Sequence, residues 1–552
     1  MVTLTVRPFA IPIVRDARIA TYRARMTMNR ALQSPIGTMR GKVFASVVIL
    51  GIVATTAGCS TVQQDSLASS PSSSDITSTL GQLDAIAEDA LKRTGVPGAA
   101  VAVVQGDKVV YTKGYGLREV GKPDPVDADT VFQLASLSKS IGSTVVSGIV
   151  GAGKASWDDP ITKWLPTFAL SDPWVTKNVT IADMYAHRSG LPGDSGNDLE
   201  AMGYDQAEIL KRLRFEPLGP FRNQYSYSNF GLTSGGVAAA TADGTTFADA
   251  AQYRLFKPAG MTSSSYRYSD YLSQSNKALI HSKVNGKYEA AFTREPDAQD
   301  PAGGASSNAT DLAQWLRIEL NEGKLGDKPI VPAEALDRAH RPVIDNRPGT
   351  PVTAPANFYG LGWNVGLDDR NQVMWSHSGA FSQGAGTTVR VFPNQKLGII
   401  VLTNGPPVGA AEAIADAYAD VVLQGSAQQD WVKVWGDRLA PLLAPSQPTP
   451  PASVTSPAAL TSYEGTYSNP YYGDFVVTAQ GSDLVMTVGP HGAKTYTLTP
   501  FNGNELLFDF SPEIPQSQSP IVFAMGADGK ATALVLGPDP KAEGLVRLPR
   551  TK

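Results

Sequence analysis

The hydrophobic pattern changes period several times along the chain. Val43 to Gly58 is an uncharged apolar run of sixteen residues, VFASVVILGIVATTAG. It is shorter than the roughly 20 residues of a membrane span and suits the apolar region of an export signal. The Ser-rich polar stretch 60–79 follows and is expected to be a disordered tether. From Leu80 the period becomes helical, with Leu83, Ile86, Ala87, Ala90 and Leu91 on one face until Gly95-Val96-Pro97-Gly98 stops it. Ala99–Gln105 and Val109–Gly116 flank Gly106-Asp107 and predict a hairpin. Mixed helical and loop segments run to about residue 355. Strands are then expected at Gly360–Val365, Gln372–Ser376, Gly386–Phe392 and Leu397–Thr403, and a helix at Ala410–Leu423. Strands at both ends with helices between predict an α+β domain whose terminal strands share one sheet. Residues 440–458 are a Pro-rich linker. The remainder, 459–552, has short alternating runs separated by turns such as Asn502-Gly503-Asn504 and Asp528-Gly529. It predicts a small all-β domain of about seven or eight strands. The expected organisation is a signal sequence over 1–58, the tether over 59–79, the main domain over 80–425, a helix and linker over 426–458, and the β domain over 459–552.

Composition narrows the chemistry. Of 552 residues, 42% are hydrophobic and 18% charged, which excludes global disorder. A net charge of −4 gives no electrostatic case for nucleic acid. One cysteine excludes an internal disulfide and a multi-cysteine zinc site, and the five histidines are scattered with no H-E-x-x-H. No metal and no cofactor are implied. Basic residues concentrate before the apolar run: Arg7, Arg15, Arg18, Arg23, Arg25, Arg30, Arg40 and Lys42 against one acid, Asp16. That polarity belongs to an export signal. The signal ends Thr56-Ala57-Gly58-Cys59, which resembles a bacterial lipobox, with Thr56 in place of the usual Leu. The expectation is lipidation of Cys59 and export to the periplasm or outer membrane. A plain signal peptide or an uncleaved anchor is the alternative. Met39-Arg40-Gly41-Lys42 would be a compact start for such a signal.

Candidate chemistry comes from three separated places. In Ser136-Leu137-Ser138-Lys139, Ser136 opens an apolar helix and Lys139 follows one turn later on the same face. The free N–H groups of a helix start can stabilise an oxyanion, and an amine of lowered pKa can take the serine proton. In Tyr225-Ser226-Tyr227-Ser228-Asn229, the side chains of Tyr227 and Asn229 point the same way from an extended loop. Tyr227 could act as a phenolate base and Asn229 could bind a carbonyl. The third place is His377-Ser378-Gly379-Ala380, at the end of an expected strand. Gly379 would let a substrate approach the backbone, and the Ala380 N–H would be a second oxyanion donor. The ordinary alternatives are a capped helix with a surface lysine, a buried hydrogen-bonded tyrosine and a half-exposed strand histidine.

Taken together, these segments resemble the serine hydrolase superfamily of class C β-lactamases, penicillin-binding DD-peptidases, D-aminopeptidases and related esterases. The resemblance covers about 80–425. It extends to Ile181–Pro192 (IADMYAHRSGLP), Pro258–Met261 (PAGM), Pro301–Leu316 (PAGGASSNATDLAQWL), Tyr359–Trp363 (YGLGW) and Val401–Asn404 (VLTN), in the family's order. It implies an antiparallel sheet with flanking helices and acyl transfer. Ser136 would be the nucleophile, Lys139 and Tyr227 would share the base role, and Asn229 would position the acyl amide. Ser136 and Ala380 would supply the oxyanion N–H groups, and His377, Ser378 and Gly379 would meet the substrate. Where the β-lactamases carry K-T-G or K-S-G, this chain has His377-Ser378-Gly379, a form that resembles the peptidase and esterase branches. The C-terminal strands, opening with Tyr463-Glu464-Gly465-Thr466-Tyr467, resemble lipocalin-like barrels found in some of those proteins.

The implied function is an exported serine hydrolase acting on a small-molecule or peptide substrate: a β-lactam, a D-amino-acid peptide or a short ester. The alternatives are a penicillin-sensor-like protein that is acylated but turns over poorly, or a binding module centred on the β domain. Gly148-Ile149-Val150-Gly151-Ala152-Gly153-Lys154-Ala155 mimics a phosphate-binding loop but ends in Ala and follows a helix, which disqualifies it. His187 reads as a structural hydrogen-bonder. No G-x-S-x-G is present.

Overall fold

A computed structural model describes residues 73–552 except 348, 352, 354, 355, 445, 446 and 511–516. The signal sequence, Cys59 and most of the tether lie outside the described residues. Among the described residues no helix is long and apolar enough to cross a membrane.

The described residues open with α1 (Ser73–Thr94), β1 (Gly98–Gln105) and β2 (Lys108–Gly116). After the 3-10 turn Ala135–Leu137 come α2 (Ser138–Gly151), α3 (Asn197–Ala201), α4 (Asn229–Ala242), α5 (Asp300–Gly303) and α6 (Ala309–Leu320). Six strands follow: β3 (Ile344–Asp345), β4 (Asn357–Tyr359), β5 (Asn364–Leu367), β6 (Val373–Phe381), β7 (Ala385–Phe392) and β8 (Leu397–Thr403). Two helices, α7 (Ala410–Gln424) and α8 (Trp431–Leu443), close the domain. The eight strands form one antiparallel sheet in the order β2-β1-β8-β7-β6-β5-β4-β3. The terminal strands therefore share a sheet, as the sequence pattern predicts.

Both faces of that sheet are covered. Val101 and Val103 of β1 pack with Ile399 and Val401 against Leu83, Ala87, Ile414 and Tyr418 of α1 and α7. Ala100, Ala102 and Val104 face the other way, onto Leu312 and Leu316 of α6 and the apolar body of α2. Burial on both faces is why β1 reads as a continuous apolar run instead of an alternation. α1 begins at Ser73, so the last seven residues expected in the tether are helical. Ile76 is buried against the α1–α7 cluster, and Thr79 hydrogen-bonds the Tyr418 hydroxyl at 3.1 Å, which holds this extra turn. Of the expected strand Gly360–Val365, residues 360–363 form the turn between β4 and β5, and Asn364 and Val365 open β5. β6 continues past Ser376 to Phe381, because β7 pairs with it along its whole length from Trp375.

The C-terminal domain has eight strands in sequential antiparallel order: β9 (Gly465–Asn469), β10 (Gly473–Gln480), β11 (Asp483–Val488), β12 (Lys494–Asn502), β13 (Glu505–Phe508), β14 (Ser519–Met525), β15 (Ala531–Leu536) and β16 (Arg547–Pro549). The tail brings the first and last strands together, with Thr551 N–H donating to Thr466 O at 2.7 Å and Thr466 N–H to Lys552 O at 3.1 Å. The result is a nearly closed barrel whose interior is filled by Tyr463, Tyr467, Phe475, Met486, Leu506 and Phe523.

Two features yield stability predictions. A Cβ on Gly379 of β6 would stand 2.1 Å from Leu134 O and 2.9 Å from Leu137 N. The glycine admits the turn that carries Ser136, a close approach of backbone to backbone. Gly379→Ala is expected to destabilise by roughly 1–3 kcal/mol in urea unfolding, as overpacking against main chain does. Asp300, the first residue of α5, is half-buried with Gln206 Nε2 donating to it at 2.7 Å, and desolvation pushes its carboxyl up to about 7. A carboxyl raised above its unfolded value costs stability as pH rises from about 4 through 7. Asp300→Asn keeps the acceptor and removes the charge. Its gain over the wild type in denaturant unfolding is expected to grow from pH 5 to pH 8, by ~1–4 kcal/mol.

Candidate active site

The 3-10 turn places Ser136 at the foot of α2, with its side chain half-buried. Ala135, just before it, is held at φ 48°, a left-handed conformation that is strained for a residue with a Cβ. The surrounding bonds fix it. Ser138 Oγ donates to Ala135 O at 2.6 Å and accepts from Ala305 N–H at 2.9 Å, and Leu134 N–H donates to Ala305 O at 2.9 Å. Tyr266 Oη donates to Ser138 O at 2.6 Å.

Lys139 is fully buried. Its Nζ donates to Ser136 Oγ at 2.9 Å, Asn229 Oδ1 at 2.8 Å and Ala302 O at 3.0 Å. It also lies 4.6 Å from the Tyr227 ring centroid. The first and second candidate motifs therefore converge on one ammonium. Ala302, from α5, is a partner that sequence reasoning did not single out, although it lies inside the Pro301–Leu316 segment.

Tyr227 and Asn229 sit at the start of α4, where Ser228 Oγ caps the helix by accepting from Gly231 N–H at 3.1 Å. Ser228 N–H in turn donates to His187 Nδ1 at 3.1 Å. The His187 ring lies against Tyr227 with centroids 4.4 Å apart. Burial, reinforced by the Lys139 charge, drives His187 well below the ordinary histidine pKa. It is a neutral positioning group for the Tyr227 loop, in keeping with its sequence reading as a structural hydrogen-bonder. Asn229 is fixed on both sides of its amide: Oδ1 accepts from Lys139 and Nδ2 donates to Asn197 Oδ1 at 3.4 Å. No motif in the sequence pointed to Asn197.

β6 supplies the opposite wall. Its last pairing with β5 is Asn364↔Ser376, so from His377 onward only β7 pairs with it, among the described residues. His377 is buried, with Nδ1–H donating to Ser378 O at 2.7 Å and Nε2 accepting from the Tyr359 hydroxyl at 2.8 Å. Burial and the nearby Lys139 push it down to about 3, so it is neutral and holds one tautomer. Tyr359 was not singled out as a site residue, although it opens the YGLGW segment.

Strand alternation separates the remaining residues. The Ser378 side chain projects to the opposite face, where Oγ lies 3.0 Å from Thr388 Oγ1 and is hydrogen-bonded to buried Glu412 of α7. Ser378 nevertheless lines the same cleft as Tyr227 and His377. Gly379 is pressed against the Ser136 turn, so it permits a close approach of main chain to main chain. Ala380 is exposed on the one-sided stretch of β6. A cleft of about 380 Å³ opens beside Tyr225, Tyr227, Tyr359 and His377. Among the described residues no group of three or more His, Cys, Asp or Glu could hold a metal ion.

Comparison with known proteins bears on this arrangement. A β-lactamase family model matches residues 83–424, and a model for a domain of unknown function (DUF3471) matches 449–546. The chain is 25% identical over 479 residues to an unguisins hydrolase, UngD′, of Aspergillus campestris, covering 80% of this chain and 86% of that protein. It is 24% identical to β-lactamase-like protein 2 of Dictyostelium discoideum, covering 74% of each. The octameric penicillin-binding protein homologue from Pyrococcus abyssi shares the fold, with a TM-score of 0.55 at 21% identity over 85% of this chain and 99% of that one. With the family model matched across the whole domain that carries Ser136, Lys139, Tyr227 and His377, the chain belongs to the β-lactamase family of serine hydrolases.

Proposed function

We propose that this protein hydrolyses a small amide or ester through an acyl-enzyme on Ser136, and that it is exported and anchored through Cys59. The observation that carries the catalytic reading is the buried Lys139 Nζ at 2.9 Å from Ser136 Oγ. Lys139 would first give up one of its protons, and the neutral amine at that distance would then accept the hydroxyl proton as Oγ attacks the carbonyl. The Tyr227 ring lies 4.6 Å from Lys139 Nζ, and its hydroxyl would share the base role. The N–H groups of Ser136 and Ala380 would hold the oxyanion, with the open edge of β6 beside them. The proton then goes to the leaving group, and water releases the acyl group by the reverse route. Export rests on the basic head, the apolar run and the lipobox-like ending of the sequence.

The neutral state of His377 supports a substrate preference. A lysine at this point would offer a cation to a substrate carboxylate. His377 offers no charge, and both of its ring nitrogens are engaged. This favours esters and D-amino-acid peptides over β-lactams.

Two expectations follow. p-Nitrophenyl ester hydrolysis, and labelling by a fluorophosphonate, should be present in protein starting near Asp75 and abolished in Ser136→Ala. Lys139→Ala should lower kcat/KM by roughly 10²–10⁴-fold, the usual scale of general-base loss. Unchanged labelling in Ser136→Ala would remove the reading. In the same preparation a chromogenic cephalosporin should not turn over. Turnover that disappears in Ser136→Ala would instead identify a β-lactamase that uses a neutral histidine in place of the usual lysine.

A further inference from the structure

The barrel touches the hydrolase domain beside the active site. The β9–β10 turn carries Tyr471 and Tyr472, both nearly fully buried although they sit at a hairpin tip. The Tyr471 hydroxyl accepts from Gly196 N–H at 2.9 Å and is hydrogen-bonded to the buried carboxylate of Glu216. The Tyr472 hydroxyl donates to Asp198 Oδ2 at 3.2 Å. The turn's own carbonyls are held as well: Arg212 Nη1 donates to Tyr471 O at 2.6 Å and Tyr204 Oη to Tyr472 O at 2.8 Å. A Cβ on Gly473, which has φ 79°, would meet Tyr204 Oη at 2.5 Å, so the turn is fitted to this seat.

The residues gripped, Gly196 and Asp198, flank Asn197. Asn197 Oδ1 is the acceptor for Asn229 Nδ2, while Lys139 holds the other end of the Asn229 amide. One Nδ2 hydrogen is thereby directed to Asn197, and the amide is kept from flipping. The far end of α3 is fixed independently, by Arg294 Nη2 donating to Glu200 Oε2 at 2.6 Å and Gln299 Nε2 donating to the same oxygen at 2.6 Å. The N-terminal end, next to the site, is held by the two tyrosines together with Asn197 N–H donating to Asp194 O at 3.0 Å.

We infer that the Tyr471–Tyr472 turn of the C-terminal barrel is a positioning device for substrate recognition, which fixes Asn197 and through it the orientation of the Asn229 amide toward the acyl group. The inference rests on the acyl-enzyme reading above and assigns its second domain a part in specificity. Neither tyrosine is near the reacting atoms. Both act through Asn197, so their loss should affect substrates whose acyl group carries an amide and spare those that lack one.

The test compares p-nitrophenyl acetate, whose acyl group has no amide, with p-nitrophenyl N-acetylglycinate, whose acyl group has one. The leaving group is the same, and the ratio of the two kcat/KM values cancels any difference in folded fraction. In the full exported chain, Tyr471→Phe with Tyr472→Phe should leave acetate hydrolysis within about twofold and lower the N-acetylglycinate/acetate ratio about fivefold, on the order of one neutral hydrogen bond, through KM. Asn197→Ala should lower the same ratio by a similar factor. An unchanged ratio in the double variant, or a parallel fall for both esters, would overturn the inference while leaving the serine hydrolase reading intact. If the wild-type protein hydrolyses neither ester, the hydrolase reading fails and the inference falls with it.

Discussion

The buried ammonium of Lys139 is the constraint around which the domain is arranged. A charge with no solvent exposure is stable only if each of its donors has an acceptor. Here the acceptors come from a 3-10 turn, the first residue of α4 and a carbonyl of α5. These three points lie far apart in sequence, so the site exists only when the helical layer has assembled. The same requirement explains the tension before Ser136. Ala135 is held in a left-handed conformation because Ser138, Ala305 and Tyr266 fix the turn from several sides. Ser136 is thus presented by a backbone that the rest of the fold keeps in place.

Around this charge the neighbouring titratable rings are kept neutral. His187 and His377 are both buried and both feel Lys139, and each condition disfavours a second positive charge. His377 uses both ring nitrogens, toward the Ser378 carbonyl and the Tyr359 hydroxyl, and His187 accepts from Ser228 N–H through Nδ1. The wall that faces the cleft is aromatic, with Tyr225, Tyr359 and His187 within ring contact of one another. The third motif therefore contributes shape and backbone edge in place of charge. Strand alternation makes this division: His377 and Gly379 face the site, whereas Ser378 belongs to the polar cluster of Thr388, Glu412 and Arg390 on the other face.

The barrel is joined to this arrangement by polar contacts at a turn. Its interior is filled with side chains, so its contribution is made from the rim, where Tyr471 and Tyr472 are buried against the segment that leads into α3. A second turn of the barrel is equally close. A Cβ on Gly489 would stand 2.0 Å from Met202 O, so the β11–β12 connection also abuts the end of that segment.

Much of the design is local and was legible in the sequence. The central strands announce themselves because burial on two faces requires continuous apolar runs, as in Ala99–Gln105 and Leu397–Thr403. The nucleophile, lysine, tyrosine and asparagine could be named because their spacing is set by one helix turn and one extended dipeptide. Other features depend on contacts between distant segments, which periodicity does not encode. Ile76 reads as part of a polar tether until α7 provides a surface for it. Gly379 reads as room for a substrate until the Ser136 turn is found against it. Ala302 contributes a carbonyl, which every residue has, and Asn197 matters only because a turn about 270 residues later, as its residue numbers show, grips its neighbours. The sequence by itself singled out Ser136, Lys139, Tyr227 and Asn229 as the candidate side chains, since chemical identity is local. The tertiary structure decided their charge states, which face each one serves and what holds it, since burial and hydrogen-bond partners are properties of the assembled chain.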